Sequence, residues 1–100
     1  MITEIVTMVL PKKLDADEVL SKFHETAERW KKNPDLIRKH YLLDRINNTI
    51  GGVYLWHQRE HAEKWHGNDF RKQAKALYGA EPKIQIFETP IIIDNWTDKN

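Results

Sequence analysis

One hundred residues without cysteine, 40% hydrophobic and 31% charged, make one globular domain rather than a disordered chain or a disulfide framework. Sixteen basic and 15 acidic residues leave a formal charge of +1 with no run of like charge. Nucleic-acid backbone binding therefore has no electrostatic source, and no nucleic-acid partner is expected. No apolar stretch is long enough to span a bilayer, and the alternating first residues meet Pro11-Lys12-Lys13, unlike a signal peptide. The expectation is a soluble cytoplasmic protein with no membrane partner.

Ile2 to Leu10 reads as a first strand, with Ile2, Val6, Met8 and Leu10 on one face and Glu4 among them. Pro11 lacks a ladder donor and ends it. From Asp15 to about Lys32, the recurrence of Ala16, Val19, Leu20, Phe23, Ala27 and Trp30 predicts a helix. Asp15 and Glu18 have the spacing of a capping box, and Asn33-Pro34 stops the helix. Leu36 to Arg45 is a second strand, with Ile37, Tyr41 and Leu43 on one face and Leu36, His40 and Leu42 on the other. Asn47-Asn48-Thr49 reads as a hairpin turn, because Asn tolerates the left-handed backbone.

Gly51-Gly52-Val53-Tyr54-Leu55-Trp56 is the inner strand around which the chain is organised. Its paired glycines mark a bulge or a close backbone approach. Val53 and Leu55 point one way, and Gly52, Tyr54 and Trp56 the other. Gln58 to about His66 and Asp69 to Tyr78 are two helical pieces separated at Gly67-Asn68, with Gly79 as a C′ residue. Ile84 to Asp94 is expected as the last strand, bent or at an edge because of Pro90. Residues 1–95 form the domain and 96–100 a polar C-terminal tail.

This order, strand-helix-strand-strand-helix-strand, is the α+β ferredoxin-like βαββαβ arrangement, a four-stranded antiparallel sheet with its helices on one face. The other face, with Tyr54 and Trp56 or their opposites, Ile84, Ile86 and Ile91-Ile92-Ile93, would stay exposed in a monomer. A patch of that size points to an isologous homodimer joined through the sheet faces. Ile91-Ile92-Ile93 cannot all fill one core, since Ile92 points opposite to its neighbours on a strand.

Four segments carry a resemblance: Leu36-Ile37-Arg38-Lys39-His40-Tyr41-Leu42, Gly51-Gly52-Val53-Tyr54-Leu55-Trp56, Tyr78-Gly79-Ala80-Glu81-Pro82 and Phe87-Glu88-Thr89-Pro90-Ile91-Ile92-Ile93-Asp94-Asn95. In this order they resemble the YdhR-like monooxygenase family, over nearly the whole chain. The resemblance implies a dimeric α+β barrel and a place among cofactor-independent oxygenases acting on aromatic or quinol-like compounds. One departure is Asp35, where the family pattern has glycine, which bears on the loop entering the second strand.

Four tryptophans suggest a flat aromatic ligand in a cleft between sheet and helices, lined by Trp30, Tyr41, Trp56, Trp65, Phe70 and Phe87. Trp30 and Phe70 also complete core stripes, whereas Trp56 and Trp65 flank the strand-to-helix junction where a cleft mouth would form. His24 and His66 are the candidate general bases toward an acidic phenol or quinol proton. Tyr54 could orient a substrate oxygen, but is expected mainly in the dimer interface. His57 and His61 are four apart and His61 and His66 five apart, but spacing fixes no third ligand, so no metal is expected. Haem ligation by a histidine is a weaker alternative that the resemblance to haem-degrading barrels raises. No phosphate-binding glycine loop or nucleophile elbow is present, and no cofactor is expected. Glu4 and Glu88 are expected as strand-edge charges rather than an acid/base couple. A non-catalytic dimer that holds an aromatic molecule is the competing function.

Overall fold

The protein is described from a computed structural model that covers residues 1–96. Its elements are β1 (Ile2–Val9), α1 (Ala16–Lys31), β2 (Leu36–Asp44), β3 (Thr49–Trp56), α2 (Arg59–Trp65), α3 (Asn68–Tyr78) and β4 (Lys83–Glu88). The four strands form one antiparallel sheet in the order β2-β3-β1-β4, the ferredoxin-like order that the chain predicts.

Local chemistry sets most boundaries. Asp15 caps α1, its side chain accepting from the Glu18 N–H at 3.2 Å. Asn48 turns the β2–β3 hairpin at φ 52°. Its side chain also accepts from Leu14 N–H at 2.6 Å and donates to the Leu10 and Lys12 carbonyls, which fixes the β1–α1 loop. Gly79 ends α3 at φ 75°, where its N–H donates to the Lys75 carbonyl. Gly51 allows the close β1–β3 approach, since a Cβ there would collide with the Val6 carbonyl oxygen.

The inner face of the sheet carries Glu4, Val6 and Met8 of β1 and Ile50, Tyr54 and Trp56 of β3, all buried. Val19, Phe23 and Trp30 of α1 and Ala62 and Ala74 of α2 and α3 complete this core. Each large side chain buried here contributes about 1.5–3 kcal/mol.

Four details differ from the sequence expectation. Ile84 and Ile86 lie opposite Val6 and Glu4, so they pack on the inner core rather than on the open face. Tyr54 also faces the helices, only 4% exposed, and is not available to a sheet-to-sheet interface. A bulge between Leu36 and Arg38 inserts one extra residue, which turns Leu36 inward alongside Lys39, Tyr41 and Leu43. Finally, β4 stops at Glu88, because Pro90 has no N–H for the ladder.

The segment after β4 crosses the outer face instead of extending the strand. Thr89 bonds to Thr3 through their hydroxyls, Ile92 borders Val53 and Leu55, and Asp94 pairs with Arg38 on the far edge strand. Ile92 is the most covered of its triplet at 43% exposed, while Ile91 and Ile93 project outward at 78% and 83%. The alternation argued from sequence is present, although the segment is not a strand. Of the expected tail, Trp96 is exposed and the rest lies outside the described residues.

Candidate active site

The polar centre of the core is Glu4. It is 1% exposed, on an inner strand, and therefore not the edge charge expected from sequence. Its Oε1 accepts the indole N–H of Trp56 at 2.9 Å and also meets His66 Nδ1. An oxygen that already accepts the indole proton is suited to accept the Nδ1 proton as well. His66 Nε2 and Glu4 Oε2 are buried without a protein partner. His66 reaches Glu4 because α2 ends at Trp65 and the break before α3 turns its side chain inward.

Aromatic rings enclose this pair. Phe70 and Tyr54 meet the imidazole edge-on at centroid distances of 4.3 and 4.4 Å, and Trp30 and Trp56 follow at 5.7 and 5.8 Å. Tyr54 and Trp56 stack with 4° between their planes.

Beside them, between the sheet and α1 and α3, lies a cavity of ≈ 140 Å³. Its aromatic walls are Phe23, Trp30, Tyr41, Tyr54, Phe70 and Tyr78, with Ile50 and Gly52 at the sheet. Polar contributions come from Thr26, Arg29, Gln73 and Lys39. The Tyr41 hydroxyl bonds to Thr26 Oγ1 at 2.5 Å, which fixes the Tyr41 ring against Phe23.

Lys39 occupies an inward position of β2. Its Nζ lies 3.9, 4.5 and 4.6 Å from the ring centroids of Tyr41, Tyr54 and Trp30. Gly52 makes room for it, since a Cβ there would sit 3.0 Å from the Tyr54 ring and 3.2 Å from Lys39 Cε. Burial, with a smaller effect from Arg29, lowers the Lys39 ammonium from 10.5 to about 7. Burial is also the main cause that raises the Tyr54 and Tyr78 phenols.

The candidates named from sequence separate into distinct places. Trp30, Tyr41 and Phe70 line the cavity. Trp65 lines a neighbouring groove that shares Trp30 and Phe70 with it, and its indole donates to Asp35 at 2.9 Å. Asp35 thus ties the loop before β2 to α2; His61 and Lys64 stand 3.6 Å away, and the indole bond leads in lowering its carboxyl pKa. Trp56 is fully buried beneath the cavity rather than at its mouth, because its indole is held by Glu4.

Phe87 lies opposite Thr3, which pairs in turn with Leu55, on the outer face and is not part of the cleft. His24 is exposed on α1 and does not meet the other candidates. His66 sits behind Tyr54 and Phe70 rather than on the cavity wall. The sequence places Glu4 as a strand-edge charge and Gly52 at a bulge or close approach, and it singles out neither as part of a site, nor Lys39. The available signal was a charged residue at an inward position of a strand, Glu4 beside Val6 and Lys39 beside Tyr41.

The fold defines a class of small α+β proteins. Within it, two solved structures of SnoaB, a cofactor-independent oxygenase from Streptomyces nogalater, one of them a point mutant, match this chain with a TM-score of 0.65. They are 18% identical to it, and the match covers 92% of this chain and 95% of SnoaB. At that identity the likeness is one of fold. No family model matches the sequence, and no curated protein matches it significantly. No helix of the described residues is long and apolar enough to cross a membrane.

Lys39 gives a pH dependence whose sign follows from its lowered value. Between about pH 7 and pH 10 the unfolded chain holds a proton that the folded chain has released, so stability rises with pH across that window. Below it both states are protonated and the cost of burying the charge is constant. Above about pH 10 the raised tyrosines act the other way, because the folded protein keeps protons that the unfolded chain loses. Urea titrations across this range are expected to show the rise in wild type. Lys39→Met should remove it and gain most stability at the acidic end. Parallel curves for the two proteins would contradict the assignment.

Proposed function

We propose that this protein is an oxygenase-type enzyme that works without a bound cofactor on a small aromatic or quinol-like molecule. The observation that carries this reading is the ≈ 140 Å³ cavity with its aromatic walls and few polar groups, the composition of a site for a flat ligand. The likeness of fold to SnoaB and the motif resemblance to the YdhR-like family support it. Trp30, Tyr41 and Phe70 contact the ligand in this reading, Trp65 borders the approach along the groove, and Trp56 and His66 hold the walls from behind. His66 is then a positioning residue. Cofactor-free attack by oxygen relies on a substrate made electron-rich by loss of an acidic proton, so the protein's part is to bind, orient and deprotonate.

The second reading is a binding module without turnover. The burial of His66 behind Tyr54 and Phe70 favours it, since the histidine expected as base does not reach the cavity.

Oxygen uptake with a panel of quinols and polyphenols, without added metal or flavin, separates the two. Uptake above the protein-free control is expected for the enzyme. Quenching of tryptophan fluorescence without uptake would favour the binding module, and neither effect would remove the cavity as a ligand site.

The proposed assembly is a homodimer through the outer faces. Phe87, Ile91 and Ile93, exposed around the half-buried Val53 and Leu55, make an apolar surface that two copies can bury symmetrically. Sedimentation is expected to give about twice the 11.9 kDa chain mass at micromolar concentration. A single species at the chain mass would contradict the dimer.

A further inference from the structure

We propose that the cavity selects the anionic form of an aromatic ligand that carries an acidic hydroxyl, a phenol or hydroxyquinone, with Lys39 as its proton acceptor and charge partner. This rests on the cavity being the ligand site and adds the chemical class of its occupant.

Charge and geometry carry the inference. Lys39 and Arg29 both line the cavity, and no described carboxylate does. Among the described residues no carboxylate forms an ion pair with Lys39. Its amine instead faces the rings of Tyr41, Tyr54 and Trp30 within 4.6 Å. A cation without a counter-ion, surrounded by aromatic rings, leaves the negative charge to be supplied by whatever enters. The same rings supply stacking surface, so one ligand would satisfy both only if it were flat and anionic.

The groups facing Lys39 agree with this direction of proton transfer. Arg29 on α1 adds positive charge, which favours the free amine before a ligand arrives and an oxyanion afterwards. Tyr41 on β2, Tyr54 on β3 and Tyr78 on α3 are phenols; burial raises Tyr54 and Tyr78, which keeps them neutral and unable to compete as anions. Burial also leaves part of the Lys39 population unprotonated near neutrality. The step is a simple transfer: the ligand O–H bond breaks, an N–H bond forms on Lys39, and the ligand remains as an oxyanion beside an ammonium. No electron changes hands.

The test uses 4-nitrophenol, whose phenolate absorbs in the visible range, and 4-nitroanisole, its methyl ether, which cannot ionise. Each is titrated into the full chain and into Lys39→Met, with tryptophan quenching as the binding signal. At about pH 6, where Lys39 and free nitrophenol are both mostly protonated, the wild-type complex is expected to show the phenolate band, with the Lys39 ammonium holding the oxyanion. Lys39→Met should bind nitrophenol about tenfold or more weakly and lose that band, because a charge-assisted hydrogen bond is gone, while 4-nitroanisole binds both proteins within about threefold. Circular dichroism of Lys39→Met should match wild type, since the substitution removes a buried charge. If nitrophenol binds as the neutral phenol, or binds both proteins equally, the proposal is overturned while the aromatic cavity stands. If neither probe quenches tryptophan, the cavity reading fails and the proposal with it.

Discussion

A single carboxyl oxygen, Glu4 Oε1, joins three parts of the chain that are far apart in sequence. It belongs to β1, accepts the indole of Trp56 at the end of β3, and meets His66 at the α2–α3 break. Burying a carboxyl group costs several kcal/mol unless it is hydrogen-bonded. The cost is offset only when all three elements are in place, so the arrangement is cooperative. It ties the α2–α3 junction to one place on the sheet.

The cavity follows from that docking. Tyr54 and Phe70, the two rings nearest His66, form part of its walls. The missing side chain at Gly52 leaves space where Lys39 turns inward from the edge strand. The result is two polar devices separated by one layer of aromatic rings, a sealed Glu4–His66 pair behind and an accessible amine in front. Only the second can touch a ligand in the cavity as it stands. The outer face has a different character, with an apolar segment crossing it after β4 and isoleucines directed outward.

Much of the architecture was legible because it depends on short-range signals. Asp15, Asn48, Gly51 and Gly79 each satisfy a local requirement of a cap, a turn or a close approach, and each does so where the sequence suggested. Strand order followed from element order. The failures came where a long-range register decides. The bulge at Ile37 reversed the face of Leu36, the pairing of β4 with β1 turned Ile84 and Ile86 inward, and Phe87 went to the outer face. The site was less legible for the same reason. Aromatic content pointed to Trp30, Tyr41 and Phe70, but whether Glu4 or Lys39 is a surface charge depends on what the helices cover, and that is a property of the assembled layers.

The central claim is that Glu4 and His66 act as one unit in the core. The direct measurement is a double-mutant cycle on unfolding free energy, from urea titrations of wild type, Glu4→Leu, His66→Leu and the double variant. Each single substitution is expected to cost about 1–3 kcal/mol, because it leaves a buried polar atom of the other group without this partner. The double variant should recover part of that loss, with a coupling energy of at least about 1 kcal/mol. Single-variant losses that add to within about 0.5 kcal/mol would show that the two side chains contribute independently and would contradict the account.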